Sequence, residues 1–188
     1  MSEHPQIELY VTVGDDQQNT SIEEMLSSAH LDEVVERTLS EVGITQRIML
    51  TLLIIDDEGI RDMNKQYRQQ DKPTDVLSFP LLEKPLVNAP TDQLWMPKEE
   101  ADNPTTKQPV PAFVTPPDVI TNLGDVVMSW PTIVRQAEEA GHTPIYELLY
   151  LLSHGVLHLV GYDDLNEAGY QAMVRIQQSV LQAVRQKA

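Results

Sequence analysis

Residues 144–160 (PIYELLYLLSHGVLHLV) constrain the fold more than any other segment. Thr143-Pro144 reads as an N-cap followed by a first helical residue, and Gly161 reads as the stop. Between them Ile145, Leu148, Leu149, Leu151, Leu152, Val156, Leu157, Leu159 and Val160 place apolar groups on nearly every side. A helix of this kind must be enclosed by other elements. The chain therefore has to build layers around it. His154 and His158, two of only five histidines, lie inside this helix. Four residues apart, they leave the same face about one turn from each other. Either both are bonded to carbonyls and carboxylates in the core, or they hold a metal.

The residues that follow favour the metal. Gly161 can turn the chain back, and the layout HxxxHxxGxxD brings Asp164 toward the histidines as a third ligand. Asp163 is the rival, with capping of the turn at Asn166–Glu167 as its alternative role. Two histidines and one carboxylate form an established zinc set that leaves a fourth position open. The chain has no cysteine, which excludes disulfides, thiolate catalysis and cysteine-held metal. Helical zinc peptidases carry a glutamate beside the first histidine as general base. Here that position is Gly155. A peptidase would need a base from elsewhere, whereas phosphodiester cleavage depends more on positioning and charge neutralisation.

Around this helix the pattern predicts a small α/β (α+β) domain with four strands and about five helices. Strands are expected at Ile7–Val13, Ile48–Ile55, Asp75–Phe79 and Leu123–Ser129. Ile48–Ile55 (IMLTLLII) reads as a central strand buried on both faces. Helices are expected over Ser21–Val42 with a break near His30, then Asp56–Arg68, Thr132–Ala140, the metal helix, and Glu167–Lys187. Asp15–Ser21 reads as a polar loop. At 188 residues a single domain over 1–188 is expected. Nine of thirteen prolines fall in Pro80–Pro117. That marks an extended, mobile insertion at about 81–120, a surface linker rather than a substrate lid. No stretch approaches a membrane span, and the N-terminus lacks the basic and apolar regions of a signal peptide. A cytoplasmic protein without a membrane partner is expected.

The formal net charge is −16, which opposes non-specific binding of polyanions. Against that background Arg61, Lys65, Arg68 and Lys72 are spaced 4, 3 and 4 apart. They would share one face if the helix reached that far. They form either a phosphate-binding edge or a solvated face paired with Asp57, Glu58, Asp62 and Asp71. Arg68, at the junction into the next segment, is the candidate guanidinium clamp for a phosphate.

Three blocks, MNKQYRQQDKPTDVLSFP at Met63–Pro80, LGDVVMS at Leu123–Ser129 and HGVLHLVGYDD at His154–Asp164, together resemble the bacterial YbeY endoribonucleases. The resemblance covers most of the chain from about Ile48 to Ala168. It implies a four-stranded α/β fold and a zinc-dependent enzyme of ribosomal RNA maturation and ribosome quality control. It implies a zinc site on an HxxxHxxxxxH frame, matched at His154 and His158. Asp164 stands where the family usually has histidine. A harder, anionic ligand makes an occupied site less positive and opens it to other divalent ions. The resemblance also implies a functional arginine, which falls on Arg68.

The function expected is a metal-dependent endoribonuclease specific for single strands. Arg68 would be catalytic, Lys65 and Lys72 would guide the strand, and Ser78 and Asp125 would shape the cleft. Ribosomal RNA and the small ribosomal subunit or its proteins are the expected partners, with no role for DNA. A zinc metallopeptidase and a non-catalytic, metal-stabilised ribosome assembly factor are the alternatives.

Overall fold

The computed structural model describes residues 4–98 and 119–185. Strands β1 (Gln6–Thr12), β2 (Ile48–Ile55), β3 (Val76–Pro80) and β4 (Thr121–Ser129) form one mixed sheet in the order β1-β2-β4-β3. β1, β2 and β4 run parallel, and β3 is antiparallel to β4. Parallel neighbours need a crossover rather than a hairpin. Helices α1 (Asp16–Ser27) and α2 (Leu31–Glu41) supply it between β1 and β2, and α3 (Asp57–Arg68) begins the route from β2. Helices α4 (Trp130–Ala140), α5 (Pro144–Val160) and α6 (Glu167–Arg185) complete the fold.

Six helices are present among the described residues, one more than expected. His30 adopts a left-handed conformation (φ 57°) and separates α1 from α2, at the break expected near it. The polar stretch Asp15–Ser21 is not a loop. The Asp15 carboxylate accepts from the Gln18 N–H at 2.8 Å and starts α1 there. These residues are polar because the first turn of α1 faces water, where pattern carries no signal. β2 also departs from expectation. Leu50, Leu52 and Ile54 are fully buried, but Met49, Thr51 and Leu53 are only half-buried. The main core covers one face of β2. On the other, α3 covers only the C-terminal end, through a small cluster of Ile55, Ile60, Leu77 and Val127.

α5 is the enclosed helix that its composition demands. It packs on α2, α4, α6 and the sheet. Leu148, Leu152, Val156, Leu157, Leu159 and Val160 are fully buried. The buried Thr38 and Ser153 hydroxyls, 2.9 Å apart, tie α2 to it. Gly155 sets its approach to the sheet. A Cβ there would lie 2.8 and 3.0 Å from the two Val126 methyls and 3.4 Å from Ser78 Oγ.

The proline-rich stretch, as far as Lys98, is no free linker. It includes a 3-10 turn at Thr91–Gln93 and straps the C-terminal end of α5. The Leu86 N–H donates to Val160 O, the Trp95 N–H to Gly161 O, and the Trp95 indole to His158 O at 2.8 Å. The last carbonyls of a helix have no partner within it. The strap supplies partners from outside. The expectation for the remainder, about 99–118, lies outside the described residues.

Candidate metal centre

The strap, the glycine turn and α6 converge on His154 and His158. Their Nε2 atoms are 3.0 Å apart, and each is 3.6 Å from Asp164 Oδ2. Gly161, at φ 137°, turns the chain so that Asp164 comes back over the histidine pair. An alanine Cβ at Gly161 would meet Pro85 of the strap. A tetrahedral ion with bonds of about 2.0–2.1 Å holds its ligand atoms about 3.3–3.4 Å apart. The three atoms already stand close to that spacing. Among the described residues His154, His158 and Asp164 form the one group that could hold a metal ion. Asp163, the rival ligand, is engaged otherwise: its carboxylate accepts from the Leu165 N–H at 3.2 Å.

Both rings are held so that Nε2 faces the site. His158 Nδ1 lies 2.9 Å from the Tyr162 carbonyl, an acceptor, so Nδ1 carries the proton. His154 Nδ1 faces Gln177 Oε1 at 3.3 Å, and Gln177 Nε2 donates to the Tyr150 carbonyl. That second bond fixes which end of the amide is the acceptor. Metal-ligating histidines need this kind of outer support. Burial, aided by the neighbouring His158, pushes the His154 pKa down and favours the neutral ring. The His158 ring beside Asp164 outweighs burial and holds that carboxyl down to about 2. A neutral ring at His154 and an ionised carboxylate at Asp164 are states a divalent cation requires.

The other expected site residues are dispersed. Arg61 donates to Asp71 at 2.8 Å, and Lys65 lies 3.9 Å from the same carboxylate. α3 ends at Arg68, with Gln69 left-handed, so Lys72 is not on the helix and the four-residue stripe does not form. The Arg68 and Lys72 side chains have no ion-pair or hydrogen-bond partner among the described residues. Ser78 lies on the sheet face that meets α5, its Oγ 3.4 Å from where a Gly155 Cβ would sit. Asp125 pairs with Phe79, the next position along β3. Alternation therefore puts it on the opposite face from Ser78.

Gln177, Asp75 and Trp95 were not legible as site residues. Asp75 lines the cleft with His154 and Asp164. Gln177 alone had a usable signal: a polar residue on the buried stripe that carries Met173, Val180 and Leu181.

This fold and cluster define an α/β protein with a candidate metal site of two histidines and a carboxylate, set on an enclosed helix. The chain belongs to the YbeY family: the sequence profile described as Endoribonuclease YbeY matches residues 12–185. It is similar to the endoribonuclease YbeY of Dehalococcoides mccartyi strain BAV1, with 36% identity over 156 residues, 83% of this chain and 86% of that protein. The Moorella thermoacetica endoribonuclease YbeY is 37% identical over 163 residues, 86% of this chain and 88% of that one. The solution structure of a Thermotoga maritima protein shares the fold, with a TM-score of 0.53 and 21% identity over 97% of this chain and 91% of that one. No helix among the described residues is long and apolar enough to cross a membrane.

Proposed function

We propose that this chain is a metal-dependent endoribonuclease of the cytoplasm, cutting single-stranded ribosomal RNA during maturation and ribosome quality control. The observation that carries this reading is the His154–His158–Asp164 triangle, with edges of 3.0, 3.6 and 3.6 Å. Zinc is the ion we assign, with other divalent ions compatible with Asp164. When bound, the ion supplies Lewis acidity toward a phosphoryl oxygen or a water. The chain's own residues hold the ion and position the RNA. Tyr162 and Gln177 keep both Nε2 atoms turned to the site. Arg68, unpaired at the end of α3, is the group we assign to charge on the phosphate, with Lys72 beside it guiding the strand. Lys65, turned to Asp71, contributes field rather than contact. Ser78, on the sheet face toward α5, is the group we assign to shaping the site, and Asp125 lies on the opposite face of the sheet. The small ribosomal subunit or its proteins are the expected partners, because a body of net charge −16 binds free RNA weakly.

A peptidase is disfavoured by packing as well as by sequence. A glutamate at position 155 has no room, since even its Cβ would press on Val126. Metal analysis of the purified protein, with cleavage of single-stranded RNA before and after chelation, tests the proposal. Asp164→Ala should lose metal and cleavage. Unchanged metal content would remove Asp164 from the ligand set. Arg68→Ala should abolish cleavage while the protein stays folded, and normal cleavage would remove Arg68 from the site. If His158→Ala unfolds the protein instead of leaving it folded and inactive, the metal is structural and the assembly-factor reading gains. Casein hydrolysis that stops with chelator would revive the peptidase.

A further inference from the structure

The cleft beside the metal cluster has a second wall that holding a metal leaves unused. Tyr150, His154 and His158 are spaced four apart on α5 and share one face. Tyr170 and Gln177 face them from α6, and Asp75 closes the side at the entry to β3. Tyr150, His154, Tyr170, Gln177, Asp75 and Asp164 line a cleft of about 280 Å³. Tyr170 is 49% exposed and Tyr150 is half-buried. Among the described residues neither phenol hydroxyl has a hydrogen-bond partner. Asp75 commits Oδ1 to the Val76 N–H at 2.8 Å and the Thr74 hydroxyl at 3.3 Å. Its other oxygen has no partner among the described residues.

We infer that Tyr150 and Tyr170 form a base-stacking subsite for the nucleotide next to the scissile phosphate, with Asp75 accepting from the base's exocyclic amino group. This rests on the endoribonuclease reading above. Proteins that read single-stranded RNA splay its bases and stack them on aromatic rings. A phosphate is repelled by the carboxylates of this wall, so its place is at the metal cluster. A neutral base has no such penalty and finds two rings and an acceptor. Carboxylates accept from amino groups such as cytosine N4. Cytosine and adenine carry an amino donor at the edge concerned, whereas uracil presents a carbonyl that Asp75 would repel.

The test is fluorescence anisotropy of labelled 2′-O-methyl hexanucleotides on the full-length, metal-loaded protein, with RNA cleavage by the wild type run in parallel. Tyr170 is half-exposed, so its truncation should not unfold the chain, and unchanged metal content and melting check this. Tyr170→Ala should weaken binding of the cytidine and adenosine oligomers roughly 5- to 150-fold. Tyr170→Phe, which keeps the ring, should recover most of it. Asp75→Asn should narrow the preference over the uridine oligomer. Wild-type affinity in Tyr170→Ala, with wild-type protein still cleaving RNA, overturns the subsite alone. A wild-type protein that neither binds nor cleaves single-stranded RNA overturns the endoribonuclease reading and the subsite with it.

Discussion

Gln177→Leu separates metal binding from folding. Gln177 is 1% exposed and makes two bonds of 3.3 Å, one accepting from the His154 ring and one donating to the Tyr150 carbonyl. Leucine has similar bulk and continues the apolar stripe of α6. The Tyr150 carbonyl loses little, since it keeps its helical partner four residues on, within α5. The cost falls on His154 Nδ1–H, a buried donor left without an acceptor, at about 1–3 kcal/mol. Burial of the added apolar surface offsets part of this, at about 25 cal/mol per Å². The metal-free protein should therefore melt within a few degrees of wild type. Metal binding should respond differently. Without its acceptor the ring is free to rotate and to exchange tautomers, so Nε2 is no longer committed to the site. Loss of such an outer partner costs about 10–100-fold in metal affinity. Competition with a chromophoric zinc chelator reads the affinity, and thermal denaturation of stripped protein reads the stability. Gln177→Glu restores an acceptor and should recover affinity, at a folding cost from the buried charge. If Gln177→Leu binds zinc within twofold of wild type while His158→Ala does not bind, the proposed role of Gln177 is wrong.

Trp95→Phe deletes the indole donor to His158 O and should cost about 1 kcal/mol, read as a melting drop of roughly 2–4 °C for a chain of this size; an unchanged melting temperature would mean the strap does not stabilise α5. Gly155→Ala should destabilise, because overpacking at about 1–3 kcal/mol exceeds the gain of about 1 kcal/mol in helix propensity. Val126→Ala should relieve that strain in the double variant, and simple additivity of the two would show that the Val126 contact is not its source. Asp57 links α3 to α4: its carboxylate accepts from the Ser129 and Thr132 hydroxyls at 2.5 and 2.6 Å and from Arg135 at 2.9 Å. Burial raises its pKa, but those three bonds outweigh burial and leave it lowered. A lowered folded-state pKa adds stability that is present above the unfolded value, about 3.9, and is lost as pH falls through the folded value. Asp57→Asn should flatten the acid limb of the stability profile below about pH 4, and an identical limb would refute the linkage.

Periodicity and punctuation in the chain reached most of the elements. α3 and α5 begin and end within a residue of expectation; α5 has its cap, its apolar stripe and its stop residue in adjacent sequence, while α3 has its cap and stripe and ends at a left-handed Gln69. Ser21–Ser27 of α1 follow the expected apolar spacing, but the start at Asp16 had no such signal since the first turn touches only water. The half-covered face of β2 escaped notice, because Met49 and Leu53 are apolar without being enclosed. The cationic stripe failed at one residue: the left-handed Gln69 ends α3 and turns Asp71 back onto Arg61 and Lys65.

The metal ligands were legible for a local reason. Helical spacing and one glycine turn bring His154, His158 and Asp164 together within eleven residues of chain, and such geometry is encoded where it occurs. The Tyr162 carbonyl that holds the His158 ring is local too, but the other supports come from far away. Gln177 lies 23 residues on, and the Trp95 donor to His158 O lies 63 residues back. Contacts over such separations depend on how layers stack around α5, and no local pattern records that. The sequence by itself determined that an enclosed helix would present two histidines and an acid. Only the packing of α6 and β3 against that helix decided which ring nitrogen His154 would offer and what would line the cleft beside the pair.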